Sequence, residues 1–360
     1  MPGVYISYPF CSQKCTYCNF ASGVFPRELE SRYFDILRAE INEMHWPWTP
    51  ETIYFGGGTP SNMDFEALTA LLAEIPGRDW VEATMEAAPG SLTREKVEAW
   101  SRAGINRVSL GAQSFIAKEL SRTGRKHTAE TVVQDVEILR NAGIENINLD
   151  LIAGLPFQTR ASWNESLDWI ERIGAPHVSV YMLEVDDDSN LGRELLLLGS
   201  RYGASAVPCE DDIADFYESA VERLHRIGIH RYEISNFARP GFESRHNLKY
   251  WRREPYLGFG ADAHSFDGES RWQNPESAAE YVAQGHALRK TVSADVLAER
   301  FFLGLRLSEG IEGSWEPFSA AIQQFIRDGL LEVAGPRLRL TPRGVMLSNE
   351  VFAEFVGVPA

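Results

Sequence analysis

The chain has 360 residues, more than one domain usually holds, so the length predicts a large domain and a smaller one. Apolar residues make up 44% of it, enough for a sizeable core, and no apolar run approaches the ~18 residues of a membrane span. Its formal charge of −16 disfavours non-specific binding to nucleic acid and to anionic membranes. The start, MPGVYISYPFC, lacks the basic-then-apolar pattern of a signal peptide, so we expect a cytoplasmic protein.

In chain order, β-branched runs alternate with amphipathic stretches. Six strands are predicted, at Gly3–Tyr8, Thr52–Phe55, Glu82–Glu86, Arg107–Gly111, Asn146–Asp150 and His177–Tyr181. Helices are predicted between them, at Leu29–Met44, Asp64–Glu74, Thr93–Ala103, Thr131–Ala142 and Ser162–Ile173. Glycines such as Gly104 and Gly174 follow these helices where a left-handed cap is expected. About six βα units predict an α/β fold whose parallel strands close into a full or partial barrel. A doubly wound open sheet is the alternative, but the sequence has no dinucleotide glycine fingerprint.

After about residue 200 the regular alternation of strands and helices ends. A helix at Asp211–Ile227 and a strand at Arg231–Ile234 precede irregular, aromatic-rich sequence through Gln273. The tail has predicted helices at Leu297–Leu307 and Phe318–Asp328, a hairpin around Gly335-Pro336 and a final helix after Pro342, an order that resembles a winged helix. Its charges roughly balance, which favours a barrel-closing or partner-binding module over DNA binding. We therefore divide the chain into a barrel core (1–200), a capping region (201–290) and a C-terminal module (291–360).

Three of the four cysteines lie within eight positions, as Cys11-Ser-Gln-Lys-Cys15-Thr-Tyr-Cys18, directly after the first predicted strand. In parallel barrels the loops at this end of the strands carry the functional sites. A structural zinc site normally has four ligands, and the distant Cys209 beside acidic residues is typical of an ordinary thiol. Three thiolates instead suit a [4Fe–4S] cluster with one iron open to S-adenosylmethionine. The spacing, with an aromatic residue before the third cysteine, resembles the signature of the radical-SAM superfamily.

Glycines and polar residues follow the next strand ends. The run Gly56–Thr59 allows backbone amides to approach a ligand closely. Glu86, Gln113 and Asp150 end three further strands, and Arg125 could bind a carboxylate in fork geometry. A carboxylate at position 150 between apolar neighbours needs a partner, either a ligand hydroxyl or a protein donor. The alternative for the glycine run is a tight loop, and the alternative for the polar residues is an ordinary core or surface role. Because all of them are expected at the same rim of the barrel, a cofactor site is favoured.

Motifs spread over almost the whole chain extend this interpretation. They are GGGTPS, EAAPG, GAQSF, NLDLIAGLP, YEISNFARPG and RHNLKYW, in that order. Together they resemble the oxygen-independent coproporphyrinogen III oxidase family and, within it, the HemW-type haem chaperones. The resemblance implies a partial (β/α)6 radical-SAM barrel with a C-terminal winged-helix-like domain.

The resemblance also implies roles for single residues. Positions that contact S-adenosylmethionine in the family match Tyr5, Gly57, Glu86, Gln113, Arg125 and Asp150. Positions linked to a second molecule of that cofactor in the oxidase match Tyr17, Gly58 and Thr59. This chain departs from the family at Ser7, where a histidine usually stands four residues before the first cysteine.

Two features favour the chaperone branch over the oxidase branch. Oxidases carry a further cysteine two residues after the third cluster ligand, where this chain has Phe20, and they have a longer N-terminal extension. In the chaperones an HNxxYW motif holds a histidine implicated in haem binding, here His246, which makes region 201–290 the expected haem-binding part. His264 is a second candidate. From the residues alone, a histidine packed or hydrogen-bonded among aromatic side chains is the favoured interpretation of His246, and the resemblance makes the two interpretations equal.

The resemblance therefore predicts a carrier that binds haem or a porphyrin and passes haem to a membrane-associated acceptor protein. It implies no nucleic-acid partner and is compatible with a homodimer. Two alternatives are enzymes. One is a radical decarboxylase that converts coproporphyrinogen III to protoporphyrinogen IX, and the other is a radical-SAM enzyme acting on some other substrate.

Overall fold

The computed structural model describes residues 2–356, and its first half alternates strands and helices. The strands are β1 Gly3–Tyr8, β2 Thr52–Gly57, β3 Glu82–Ala87, β4 Arg107–Gln113, β5 Asn146–Ala153 and β6 His177–Met182. The helices are α1 Arg27–Glu43, α2 Phe65–Glu74, α3 Arg94–Ala103, α4 Ala117–Arg122, α5 Ala129–Asn141 and α6 Arg160–Ile173. Each strand pairs in parallel with the next one along the chain. The predicted α/β fold of alternating parallel strands and helices is confirmed.

Burial on both faces explains why these strands have near-continuous apolar runs. Val4 and Ile6 have no exposed surface on one face of β1, and all seven residues of β4 are buried, which covers both faces of that strand. The caps expected from the sequence also form, since α3 ends at a left-handed Gly104 and α6 at a left-handed Gly174. The short helix α4 has no counterpart among the predicted elements.

The capping region extends the sheet at both edges. The barrel core ends with α7 Asn190–Leu196. The elements of the capping region are α8 Glu210–Arg226, β7 His230–Arg231, β8 Asn236–Ala238, α9 Arg245–Trp251, β9 Tyr256–Phe259, β10 His264–Phe266, β11 Ser270–Gln273 and α10 Ala278–Gln284, and β12 Lys290–Ser293 crosses its boundary with the C-terminal module. The complete twelve-stranded order is β12-β11-β10-β9-β1-β2-β3-β4-β5-β6-β8-β7. Strand β9 runs parallel to β1, whereas β8 runs antiparallel to β6.

Two predictions for this region are wrong. The strand expected at Arg231–Ile234 is only two residues long, and it belongs to an antiparallel edge rather than to another βα unit. The sequence expected to be irregular through Gln273 contains four strands and the helix α9. Strands of three or four residues are too short to show the alternation from which strands are predicted.

The C-terminal module consists of α11 Val296–Gly304, β13 Ile311–Glu312, α12 Ser319–Arg327, β14 Leu331–Ala334, β15 Arg337–Leu340, α13 Pro342–Met346 and α14 Ser348–Ala353. Its three strands form a separate antiparallel sheet in the order β13-β15-β14. The hairpin and helices lie where the winged-helix pattern predicts them. The boundaries near residues 200 and 290 stay predictions, and the end of the module, 357–360, lies outside the described residues. None of the helices within 2–356 has the length and apolar character to cross a membrane.

A buried carboxylate fastens the capping region to the barrel. Glu40 of α1 is 1% exposed and accepts hydrogen bonds from the backbone of Gly260 (3.0 Å), the amide of Asn274 (2.8 Å) and the hydroxyl of Tyr281 (2.5 Å). The guanidinium of Arg289 supplies the opposite charge. All these donors come from residues after 259, so this one side chain joins two distant parts of the sequence.

Replacing Glu40 with alanine should therefore destabilise the fold by about 3–5 kcal/mol, because a partly buried guanidinium and several buried donors lose their acceptor together. Urea unfolding followed by circular dichroism measures the change. The matched control is Glu43→Ala, on the same helix but exposed, where we expect at most about 0.5 kcal/mol. Equal losses in the two variants would contradict the role given to Glu40.

Candidate cofactor site

The three clustered cysteines lie on the loop that follows β1, at the rim formed by the C-terminal ends of the parallel strands. All three are free thiols with partial exposure. Burial raises the pKa of the Cys11 thiol, hydrogen bonds with Thr59 and Ser22 oppose that rise, and the nearby Cys18 and Cys15 add to it. The loop therefore holds the three sulfurs close enough to influence one another.

The three cysteine sulfurs are not drawn together around one point, as ligands of a single metal ion would be. Within the part of the chain that the structure describes, no three His, Cys, Asp or Glu side chains converge closely enough to hold a metal ion. The remaining cysteine, Cys209, is exposed and contacts Asp212 at 3.1 Å, away from this loop. It is an ordinary thiol, as expected.

The glycine run after β2 packs directly against the cysteine loop. The amide of Gly58 donates to the carbonyl of Tyr8 at 2.8 Å, and the amide of Thr59 donates to the carbonyl of Phe10 at 3.0 Å. A Cβ at position 58 would lie 2.8 Å from the Phe10 oxygen and 2.9 Å from its nitrogen, too close for any side chain. Gly57 has a φ of 108°, a region that favours glycine. These glycines thus allow two loop backbones to touch beside the cysteines.

A cavity of about 120 Å³ opens between these loops. Its lining includes three residues predicted to contact S-adenosylmethionine, namely Tyr5, Gly57 and Glu86. Ser7 lines it too, so the departure from the family pattern falls inside the site. The other lining residues are Pro9, Phe20, Ala21, Ser22 and Asp262. Asp262 comes from the capping region and was missed, because nothing in its local sequence shows that β9 pairs with β1.

The two predicted carboxylates stand inside the barrel mouth. The hydroxyl of Tyr54 donates to Glu86 at 2.9 Å. Burial, together with the charge of Asp150, raises the pKa of Glu86 to about 7. Asp150 accepts hydrogen bonds from Asn148 at 2.7 Å and Ser109 at 3.2 Å. The partner that position 150 requires is therefore supplied by the protein itself.

A second group of predicted residues gathers on the β4 side of the rim. Gln113 has a left-handed backbone (φ 65°), and the Arg125 guanidinium lies 3.6 Å from where a Cβ of Gly111 would stand. Burial alone would lower the pKa of Arg125, but the adjacent Tyr17 and Cys15 raise it above its ordinary value. The structure thus places Arg125 and Tyr17 beside the second cysteine, and Gln113 and Arg125 both beside Gly111.

These residues fit a three-thiolate cluster with a polar organic cofactor. Free thiols, a small cavity and two carboxylates share one rim, and a guanidinium stands beside it. Thr16 Oγ1 and Arg125 Nε are buried without a hydrogen-bond partner among the described residues. Because buried polar atoms are normally paired, these two atoms in and beside the cysteine loop are consistent with a polar ligand at this rim.

His246 lies at the opposite end of the barrel. It is 0% exposed, its Nδ1 is 2.8 Å from Thr52 Oγ1, and its Nε2 is 2.7 Å from the Tyr250 hydroxyl. Its ring also packs on Tyr54, and burial lowers its pKa to about 3. With both nitrogens engaged, this imidazole cannot coordinate iron as it stands. This arrangement agrees with the alternative of a packed, hydrogen-bonded histidine, and haem binding by His246 stays a prediction. His264 is exposed at the start of β10, on the cysteine side.

A larger cavity, of about 660 Å³, also lies at this lower end of the barrel. It is lined by the outer face of α9, including Arg245 and Arg252, and by Glu309 of the C-terminal module. None of the predicted site residues lines it, so this cavity and the cofactor rim are separate features.

Comparison with known proteins identifies the family. The model of the radical SAM superfamily matches residues 5–170, and the model of the HemN C-terminal domain matches residues 293–347. Heme chaperone HemW of Bacillus subtilis (strain 168) is 34% identical over 99% of this chain and 100% of its own length. Heme chaperone HemW of Mycobacterium tuberculosis (strain H37Rv) is 35% identical over 99% of this chain and 95% of its own.

Among solved structures, coproporphyrinogen III oxidase (HemN) from Escherichia coli superposes with a TM-score of 0.82. The match covers 99% of this chain and 90% of that one at 19% identity, so it establishes the fold alone. Membership of the superfamily confirms the two predicted cofactors, a [4Fe–4S] cluster and S-adenosylmethionine. The chain belongs to the radical SAM superfamily and, within it, to the HemW family of heme chaperones.

Proposed function

We propose that the protein binds haem and delivers it to acceptor proteins, and that it does so with a [4Fe–4S] cluster on Cys11, Cys15 and Cys18. The observation that carries the proposal is its similarity, over 99% of the chain, to proteins named heme chaperones. Phe20 supports it, since this exposed phenyl ring lines the cavity where the oxidases carry a further cysteine.

We assign S-adenosylmethionine to the rim above the barrel. When bound, it supplies a sulfonium that a reduced cluster can cleave to a radical. Arg125 and Gln113 would orient the carboxylate of the cofactor, and Asp150, held by Asn148, would accept a hydrogen bond from one of its hydroxyl groups. Tyr5, Gly57 and Glu86 would close the cavity around it, with Tyr17, Gly58 and Thr59 beside the cysteines. Packed loops here would keep water from the cluster.

We further propose that the protein works in the cytoplasm, because a cluster built on thiolates needs a reducing compartment. The acceptor is a membrane-associated haem protein, and a homodimer is the proposed assembly. Nucleic acid is not a partner, in keeping with the charge of −16.

The cluster assignment predicts the metal content of variants. A Cys11→Ala/Cys15→Ala/Cys18→Ala protein, reconstituted without oxygen, should lose the roughly four iron and four sulfide per chain expected of the wild type. Colorimetric iron and sulfide assays measure this. The control is Cys209→Ala, which should keep both. Full iron in the triple variant, or zinc in place of iron in the wild type, would refute the assignment.

One anaerobic assay distinguishes the proposed carrier function from the oxidase function. Reconstituted protein with reductant and S-adenosylmethionine should bind haem and leave coproporphyrinogen III unchanged, because Phe20 replaces the additional cysteine. Absorbance spectra follow haem, and chromatography follows the porphyrins. Release of carbon dioxide and formation of protoporphyrinogen would favour the oxidase instead.

The place of His246 predicts a stability effect in haem-free protein. His246→Ala should lower the free energy of unfolding by about 2–4 kcal/mol, since Thr52 and Tyr250 lose their buried partner and a cavity remains. Urea unfolding measures it, with the exposed His264→Ala as control at about 0.5 kcal/mol or less. An unchanged stability in His246→Ala would show that α9 does not close the barrel in solution. Haem titration of both variants then shows which imidazole, if either, binds the iron.

A further inference from the structure

The turn between β9 and β10 carries a carboxylate into the cofactor cavity. Asp262 lines the cavity together with Tyr5, Gly57 and Glu86, although it lies more than a hundred residues beyond the radical-SAM motifs. It has a left-handed backbone, with a φ of 59°. Such a conformation is uncommon outside glycine and persists only where the surroundings hold it.

Several contacts hold this turn in place. The amide of Asp262 donates to the carbonyl of Pro275 at 2.9 Å, and Gln273 Nε2 donates to its Oδ1 at 2.9 Å. The Tyr33 hydroxyl accepts from the amide of Ala261 at 2.9 Å and donates to the carbonyl of Ser7 at 2.8 Å. The carboxylate is therefore preorganised beside the end of β1, above the position where the family's histidine is replaced.

The second oxygen of Asp262 is available to a ligand. Oδ2 takes part in no hydrogen bond among residues 2–356. Two carboxylates, Asp262 and Glu86, thus face one small cavity with no cationic side chain in its lining. A cavity with that charge favours a cation, because opposite charges attract strongly where water is scarce.

We propose that Asp262 is a positioning residue that recognises the sulfonium charge of S-adenosylmethionine. This rests on the cofactor site of the proposed function and adds to it a residue outside the matched motifs. Asp262 is the charged residue that the capping region contributes to the lining of this cavity, where Ser7 lies as well. The ligand class is a sulfonium or an equivalent compact cation, not a neutral thioether.

The test compares two ligands that differ in this charge. S-adenosylhomocysteine keeps the ammonium, carboxylate and nucleoside of S-adenosylmethionine but has a neutral sulfur. Asp262→Asn keeps the shape of the side chain and can still accept a hydrogen bond from Gln273. It should weaken the binding of S-adenosylmethionine by about tenfold and leave the affinity for S-adenosylhomocysteine unchanged. Calorimetric titration of the reconstituted protein measures both dissociation constants. Asp262→Glu, which keeps the charge, should restore most of the preference.

The charge control is Glu276→Gln, which removes an equal charge from the exposed surface of the same region. It should leave both affinities at wild-type values. Equal affinities in Asp262→Asn and wild type, or an equal loss for both ligands, would overturn the inference. Failure of the wild type itself to bind S-adenosylmethionine would overturn the proposed cofactor site, and this inference would fall with it.

Discussion

The close approach of two backbones at the barrel rim is the constraint on which the site depends. Parallel pairing of β1 with β2 brings their following loops side by side, and position 58 then has the backbone of Phe10 within 3 Å of where a side chain would begin. Only glycine allows that contact. Because of it, the cysteine loop is held by backbone hydrogen bonds rather than by its own exposed side chains. The thiols can therefore stay free for a cluster while the loop keeps its shape.

The rim and the floor of the barrel are joined by one tyrosine. Tyr54 donates to Glu86 at the cofactor end and packs against His246 at the other end. Glu82, one strand over, accepts from the backbone of Arg245 and His246 and so anchors the start of α9. The motif around His246 is thus packed in the same set of buried contacts as Glu86, the carboxylate at the cofactor end of the barrel. Its aromatic residues are explained by packing in that set of contacts before any ligand is considered.

Sequence patterns predicted the barrel well because its strands are buried on both faces and its helices end in glycine caps. The cysteine spacing and the glycine run also predicted which loops meet, since adjacent parallel strands end at one rim. Short elements were missed, as α4 and β9 show, because a few residues cannot reveal a period. The place of Asp262 in the cavity and the contacts of His246 with Thr52 and Tyr54 could not be predicted, for a different reason. Both depend on where β9 and α9 dock, and long-range pairing leaves no trace in the local sequence.

The capping region has a direct part in the site rather than only covering it. Glu40 accepts hydrogen bonds from Gly260 and Asn274. The hydroxyl of Tyr33 connects Ala261 to Ser7. Asp262 is the next residue of the same turn. Two buried side chains of α1, Glu40 and Tyr33, therefore stabilise the contact between the capping region and the barrel, and they also determine the position of the Asp262 carboxylate in the cavity. Substitutions deep in α1 should alter cofactor affinity without touching the cavity, because the turn moves with its anchor. This links the two ends of the sequence, the cysteine loop and the region after 259, into one functional unit.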